Sequence, residues 1–153
     1  MDRRVFLGTA LTTINLPLAL SLGLLQPTRA LGGWPADAFS ATTLDDALNK
    51  LTGGRPTTSS NAIKILAREI AEDGSSVPVS VESGIPDTKS ITLLSEKNPN
   101  PTVARFTISP RVQATVDTRI KMGGTGDIVA LVESDDGFYV ARKRINVTAG
   151  GCG

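Results

Sequence analysis

Residues 127–145 read DIVALVESDDGFYVARKRI and contain two apolar runs on either side of a short acidic segment. The runs are residues 127–132 and 138–145. Stretches rich in Val, Ile and aromatic residues are typical of β-strands, and Asp-Gly between two such stretches favours a tight turn. We therefore predict a β-hairpin whose turn is Asp135-Asp136-Gly137.

Further segments on the N-terminal side of this hairpin have the same character, namely residues 62–66, 77–82, 90–94, 103–108 and 114–120. Six to seven short strands rich in Val, Ile and Thr, without long helical segments, predict an all-β fold. The expected architecture is an immunoglobulin-like antiparallel β-sandwich that lacks the usual inter-sheet disulfide. We predict that the loop Gly123-Gly124-Thr125-Gly126 is a hairpin loop, because it matches neither common phosphate-binding glycine pattern.

One short helix is predicted before the strands. Thr43 is a suitable N-cap, and Asp45 and Asp46 suit the positive end of the helix dipole. Leucine and alanine recur at helical spacing up to Leu51, and Gly53-Gly54 ends the pattern. We expect residues 31–38 to be an irregular lead-in, residues 55–60 to be a polar turn, and residues 72–74 to form a turn between strands.

Residues 1–30 have the parts of an export leader. Arg3 and Arg4 precede an apolar run rich in Gly, Ala and Leu, and Ala30 supplies a small residue for cleavage. The Arg-Arg-x-Phe-Leu pattern resembles the twin-arginine signal, so we predict a cleaved signal peptide over residues 1–30 and a periplasmic location. The alternative is a membrane anchor, since the apolar run is about as long as the roughly 20 residues that a span needs.

The mature chain predicted in this way is nearly neutral. Residues 1–30 hold three of the 16 basic and one of the 15 acidic side chains, which leaves 13 basic and 14 acidic. This balance gives no reason to expect binding to nucleic acid or to an anionic membrane surface. We predict one domain over residues 31–147, a helix plus the β-sandwich, followed by a mobile carrier arm over residues 148–153.

The chain has no histidine and one cysteine, and this limits its chemistry. Histidine-dependent nucleophile pairs are excluded, and no ligand set for zinc, haem or an iron–sulfur cluster is available. We therefore predict a protein without a cofactor that is not an enzyme. The paired acidic residues are interpreted as caps and turns. In Arg142-Lys143-Arg144 the middle residue faces away from its neighbours on a strand, which favours a solvated face over a site that guides anions.

The cysteine, Cys152, follows Gly150 and Gly151 and precedes Gly153. It has no partner for an intramolecular disulfide, and glycine neighbours leave its sulfur accessible. The tail from Val147 to Cys152 spans roughly 17 Å when extended. With no activating base in the chain, the thiol is better suited to be loaded by other enzymes than to catalyse, which predicts a covalent handle. Three alternatives remain, namely an incidental cysteine on a frayed tail, a structural or interaction β-sandwich that is cross-linked through this thiol, and a thiol-dependent enzyme, which the lack of histidine disfavours.

The terminal sequence VTAGGCG, residues 147–153, resembles that of the SoxY family, the sulfur-carrier subunits of the bacterial thiosulfate-oxidising (Sox) system. Residues 74–79 (GSSVPV), 98–101 (NPNP) and 118–121 (TRIK) and the leader support the resemblance. The family typically ends in GGCGG, and the final glycine is missing here. The resemblance implies an immunoglobulin-like fold, with sulfur intermediates held covalently on Cys152.

The same resemblance implies a set of partners. The first is SoxZ, a small β-sandwich subunit that forms a heterodimer with the carrier. The others are enzymes that act in turn: a haem enzyme that joins thiosulfate to the cysteine, a manganese hydrolase that removes sulfate, and a molybdenum–haem dehydrogenase that oxidises the remaining sulfur. The leading hypothesis is thus a periplasmic carrier that presents sulfur to these enzymes.

Overall fold

The computed structural model describes residues 35–149, which form a helical layer and two β-sheets. The elements within this range are α1 (Ala36–Phe39), α2 (Leu44–Thr52), β1 (Thr57–Ser59), β2 (Ile63–Leu66), β3 (Ile70–Asp73), β4 (Val77–Ser83), β5 (Ser90–Ser95), β6 (Thr102–Thr107), β7 (Thr115–Ile120), β8 (Gly126–Glu133) and β9 (Phe138–Ala149).

The larger sheet has the strand order β1-β9-β8-β5-β6, and β3 also pairs with β9. The smaller sheet has the order β2-β4-β7. The short strands β1 and β3 run parallel to β9, and all other pairings are antiparallel. The prediction of an all-β sandwich is confirmed, and the predicted hairpin of residues 127–145 is the β8–β9 pair at its centre.

The main core lies between the two sheets. It is built from alternate residues of the facing strands, chiefly Ile63, Val77, Val79, Val81, Ile91, Leu93, Val116, Ile120, Ile128, Ala130, Val132 and Ile145. Successive side chains on a strand point to opposite faces, so one half of each strand supplies this core. Burial of this apolar surface is the dominant stabilising term of the sandwich.

A second core lies on the other face of the larger sheet, under the helices. Its buried members are Ala38, Ala41, Ala47, Leu51, Leu94, Val129, Leu131, Phe138 and Val140. The central strands β5 and β8 are therefore covered on both faces, which explains why β5 is buried along its whole length and why β8 contains the continuous apolar run of residues 128–132. The outer face of the smaller sheet carries no such helical cover within residues 35–149.

The predicted caps of α2 are confirmed. The Thr43 hydroxyl accepts a hydrogen bond from the backbone N–H of Asp46 at 3.2 Å, and Asp45 and Asp46 occupy the first turn. Gly53 ends the helix with a left-handed φ of 63°, a conformation that favours glycine.

Four local predictions were wrong. Residues 36–39 form the single turn α1 inside the segment predicted to be irregular. Residues 57–59 form β1 where a polar turn was predicted, and the predicted turn at 72–74 begins within β3. Both strands are short and exposed, and they exist because the edge of β9 pairs with them. Strand β9 itself continues to Ala149, beyond the predicted end at Ile145.

The loop at residues 123–126 was predicted to be a hairpin loop, and this is also wrong. It connects β7 in the smaller sheet to β8 in the larger sheet, so it crosses from one sheet to the other. A Cβ atom on Gly123 would lie 2.8 Å from the backbone oxygen of Lys97. Glycine is needed at Gly123 for this close approach of two backbones.

No helix within residues 35–149 has the length and apolar character needed to span a membrane.

Candidate functional site

The predicted carrier residue Cys152 and its neighbours Gly150, Gly151 and Gly153 lie outside the described residues, as do Arg3 and Arg4 of the predicted leader. The described chain ends at Ala149, the last residue of β9. The structure therefore describes the chain up to the residue that precedes the C-terminal segment, residues 150–153. We call residues 146–149 the arm root.

The arm root extends beyond the part of β9 that pairs with β8. The last pair between β8 and β9 is Gly126 with Ile145. From Asn146 onward the pairing strand is β3 on the opposite edge, whose register places Ile70 beside Asn146 and Asp73 beside Ala149. The backbone N–H of Asn146 also donates to the Glu69 oxygen at 2.8 Å. A four-residue parallel strand thus holds one side of the arm root.

Two threonine hydroxyls complete the contacts of the arm root. Oγ1 of Thr125 accepts a hydrogen bond from the Val147 N–H at 2.9 Å and donates to the Val147 oxygen at 3.3 Å. Oγ1 of Thr148 donates to the backbone oxygen of Glu72 at 3.2 Å. These bonds fix the backbone at Val147 from the β8 side and at Thr148 from the β3 side.

The three internal segments that support the resemblance to the SoxY family lie at the end of the sandwich that carries the arm root. Residues 74–79 and 118–121 pair as β4 and β7, and the Arg119 guanidinium donates to the Ser76 hydroxyl at 2.8 Å. In residues 98–101, the Asn98 amide donates to the backbone oxygen of Lys121 and accepts from the Gly123 N–H, both at 2.8 Å. The segments are therefore bonded to one another and to the loop of residues 123–126, whose Thr125 contacts the arm root.

Asn98-Pro99-Asn100-Pro101 also joins the layers of the fold. The Asn100 side chain donates to the Ala41 oxygen at 3.2 Å, and Thr102, directly after the motif, donates through Oγ1 to the Ala38 oxygen at 2.9 Å. The loop thus ties the helical layer to the same end of the sandwich that carries the arm root.

The charged side chains near the arm root are held by local partners. Asp73 accepts hydrogen bonds from the hydroxyl and the backbone N–H of Ser75, each at 2.7 Å, and these bonds lower the pKa of the Asp73 carboxyl. The Lys97 ammonium and the Asp127 N–H lower the pKa of Glu96 in the same way. These contacts order the turns and leave the carboxylates ionised at neutral pH.

The basic run on β9 forms a solvated face, as predicted. Arg142 and Arg144 are exposed, and Arg144 lies 3.7 Å from a carboxylate oxygen of Asp127. Lys143 points to the opposite face, where its ammonium donates to the Ala67 oxygen at 2.7 Å.

A shallow groove of about 780 Å³ runs beside the arm root. Strand β3, the start of β4 and the side chains of Arg68 and Arg119 line it. Two large apolar side chains next to it are unusually accessible, Ile70 at 59% and Leu66 at 50%. Exposed apolar side chains of this size beside a functional element are typical of protein interaction surfaces.

The opposite end of the sandwich has a smaller pocket of about 380 Å³, lined by residues of the 83–89 and 108–114 loops and by Asp135. Lys89 at its rim forms an ion pair with Asp135, which raises the pKa of the lysine. Within the described part of the chain, no group of three carboxylate, histidine or cysteine side chains is placed to hold a metal ion.

The sequence did not predict that Thr125, Thr148 and β3 are parts of the site. A lone threonine in a glycine loop and a four-residue exposed strand carry little signal on their own, since their role depends on contacts with the distant β9. The one usable signal for Thr125 is that it is the only residue with a side chain in Gly123-Gly124-Thr125-Gly126.

The chain is similar to known proteins in sequence and in structure. The model of the family described as sulfur oxidation protein SoxY matches residues 48–152, a range that includes Cys152. The solved structure of the sulfur carrier protein SoxY from Chlorobium limicola f thiosulfatophilum is 38% identical and covers 72% of this chain and 100% of its own, with a TM-score of 0.64.

A superoxide reductase (neelaredoxin) from Ignicoccus hospitalis is 23% identical, with a TM-score of 0.51, and covers 57% of this chain and 80% of its own. At this identity the likeness concerns the fold alone. A comparison with curated proteins gave no match.

Proposed function

Because the chain belongs to the SoxY family, whose members include a sulfur carrier protein, we propose that it carries thiosulfate-derived sulfur on Cys152 in the periplasm and presents it to partner Sox enzymes. Family membership supports the sulfur-carrier role itself. The observation that supports the finer proposal is the position of the chain's only cysteine, three residues beyond a strand end that is held firmly at the tip of the sandwich.

The distance from the sandwich suits a carried group. Cys152 is three residues beyond Ala149, so its reach from the sandwich is roughly 10 Å when the backbone is extended. Glycine on both sides keeps the segment narrow enough to enter a cleft. Ordering each residue inside a cleft costs about 1–2 kcal/mol, which favours release after each step.

The chemistry needs partner enzymes. In the loading step a new S–S bond joins the cysteine sulfur to thiosulfate, the thiol proton leaves, and two electrons pass to an oxidising haem enzyme. Water then cleaves the bond between the outer sulfur and the sulfonate group, which releases sulfate and leaves a persulfide on Cys152. The persulfide sulfur is finally oxidised by a dehydrogenase, which takes the electrons.

This chain's contribution is to hold the sulfur covalently and to expose it. It has no histidine to act as a base beside the thiol, so the activating groups belong to the partners. This division of labour is why we propose a carrier that is not itself an enzyme.

Export is proposed from residues 1–30. Arg3 and Arg4 stand in a twin-arginine pattern, and this type of signal exports folded proteins. The intact mass of the protein isolated from the periplasm should correspond to a chain that lacks this leader. A mass that includes Met1 would contradict the proposal.

The proposed partner subunit is a SoxZ-like β-sandwich that forms a heterodimer with this chain. We place it on the surface of Leu66 and Ile70, because both side chains are exposed, Ile70 lies on β3 beside Asn146 of the arm root, and Leu66 ends the preceding strand β2. A partner seated there lies beside the arm root, and Cys152 follows the last residue of the arm root by three positions.

The proposal is tested by removing and relocating the thiol. We expect the Cys152→Ser variant to fold normally and to accept no sulfur from thiosulfate and the loading enzyme. The matched control combines Cys152→Ser with Val112→Cys, because Val112 is 59% exposed at the opposite end of the sandwich. This control has one accessible thiol and should still fail to support thiosulfate oxidation.

Sulfur transfer that persists in Cys152→Ser would contradict the proposal. So would equal activity of the relocated thiol, because the position of the thiol would then not matter. A disulfide dimer of the wild-type protein, together with no adduct from thiosulfate, would instead favour the cross-linking role.

A further inference from the structure

We infer that the Thr125 hydroxyl is a positioning group for the carrier, because it fixes the backbone of β9 at Val147, five residues before Cys152. This inference rests on the proposed carrier function. It assigns to the glycine loop of residues 123–126 a role that neither the loop's sequence nor the family resemblance provides.

The first observation is that no strand pairs with β9 on its β8 side at Val147. The Val140 oxygen and the Asn146 N–H bond to residues on the outer edge of the strand, Ser60 and Glu69. Backbone groups alternate in direction along a strand, so the N–H and the oxygen of Val147 point to the β8 side. Strand β8 ends its pairing at Gly126, opposite Ile145, and therefore does not reach Val147.

The Thr125 hydroxyl bonds to the backbone of Val147 where a strand partner is missing. A single oxygen accepts from the Val147 N–H at 2.9 Å and donates to the Val147 oxygen at 3.3 Å, so it substitutes for both backbone groups of a missing strand residue. A hydroxyl can act as donor and acceptor at one atom in this way. Val147 is half-buried, so its unpaired backbone groups would otherwise be poorly solvated.

The second observation is that the loop is itself held in place. The Gly123 N–H donates to Asn98 Oδ1 at 2.8 Å, and the Asp127 N–H donates to Glu96 Oε2 at 3.1 Å. A Cβ on Gly126 would lie 2.7 Å from a side-chain carbon of Lys97. The glycines let the loop sit against residues 96–98, and Thr125 is thereby presented to Val147 by a fixed support.

The consequence concerns the number of residues between Cys152 and the last position that the sandwich holds. With Thr125 in place, the sandwich holds β9 from both sides up to Val147. Without the hydroxyl, residues 146–149 depend on β3 alone, and their release would lengthen the segment by roughly 13 Å. A longer segment presents the sulfur over a larger volume, which lowers its effective concentration at an enzyme's entrance.

The test uses Thr125→Val, which keeps the shape and removes the hydroxyl, and Thr125→Ser, which keeps the hydroxyl. Both are made in the full chain, loaded with thiosulfate, and offered to the sulfate-releasing partner hydrolase. We expect Thr125→Val to speed exchange of the Val147 amide hydrogen by about tenfold, while the amides of Ala130 and Leu131 keep their rates. KM for the loaded protein should rise several-fold with kcat unchanged.

In Thr125→Ser, which keeps the hydroxyl, both the exchange rate of the Val147 amide and KM should stay at their wild-type values. A role of Thr125 in packing alone would not predict this result. Unchanged exchange at Val147 in Thr125→Val would overturn the inference, and so would faster exchange with unchanged KM. If the valine variant does not fold, Thr125→Ser decides alone: tenfold faster exchange at Val147 in that variant counts against the inference. Failure of the wild-type chain to load sulfur would instead refute the proposed function.

Discussion

The two ends of strand β9 are held in different ways. At its start, Phe138 and Val140 are buried under the helices, and the Arg55 guanidinium lies 4.3 Å from the centre of the Phe138 ring. At its end, the arm root is held by a short parallel strand and by two threonine hydroxyls. Apolar burial stabilises the folded chain but is not directional, whereas a hydrogen bond contributes little net stability but fixes the geometry of the groups that it joins.

This difference fits what each end is proposed to do. The start of β9 belongs to the core and stabilises the sandwich. The end of β9 is proposed to hold the chain a few residues before Cys152 and to contribute little to global stability. Substitutions at the two ends should therefore change different measured quantities.

The largest effect on stability is expected at the buried end. Phe138 is 5% exposed, and Phe138→Ala should lower the free energy of unfolding by about 3–5 kcal/mol through lost burial and the cavity that remains. Urea unfolding measures this change. The amount of sulfur that the folded fraction accepts on Cys152 should stay the same.

The matched control at the other end is Val147→Ala, which removes apolar surface from a half-buried position. We expect a smaller loss of stability there. Equal losses at Phe138 and Val147 would show that the two ends do not differ as described.

The next effect concerns the proposed partner surface near the arm root. Leu66→Glu combined with Ile70→Glu should weaken binding of a SoxZ-like subunit by about tenfold or more, because a charge would be placed among apolar contacts of the interface. Calorimetric titration of the two subunits measures the affinity. Val112→Glu, which changes an equally exposed apolar residue at the far end, is the control and should leave the affinity unchanged.

The smallest effect is expected from the turn that ends β3. The Ser75 hydroxyl and N–H lower the pKa of Asp73 in the folded chain, so the ionised form favours folding. Its contribution is present above the ordinary aspartate pKa of about 4 and is lost as the pH falls through the lower folded value. The Asp73→Asn variant should thus melt below the wild type at neutral pH, and the gap should close in acid. A gap that does not change with pH would contradict this assignment.

Much of the fold could be predicted from the sequence because its signals are local. The apolar runs around Asp135-Asp136-Gly137 specify the hairpin, and Thr43 and Gly53 specify the ends of α2. Strands β1 and β3 could not be predicted, because three or four exposed residues carry no pattern and form strands only by pairing with β9.

The candidate site divides in the same way. Composition alone directs attention to Cys152, since it is the only cysteine and lies between glycines. The arm root could not be predicted, because the bond between Thr125 and Val147 joins positions 22 residues apart and depends on where β8 ends.

The most direct test of the carrier role is the mass of the C-terminal tryptic peptide, residues 145–153, which follows Arg144 and contains Cys152. The peptide should be isolated without reductant from protein that is turning over thiosulfate with its partner enzymes. We predict added sulfur and sulfonate mass on Cys152, which a thiol reductant removes. An unmodified Cys152 throughout turnover would contradict it.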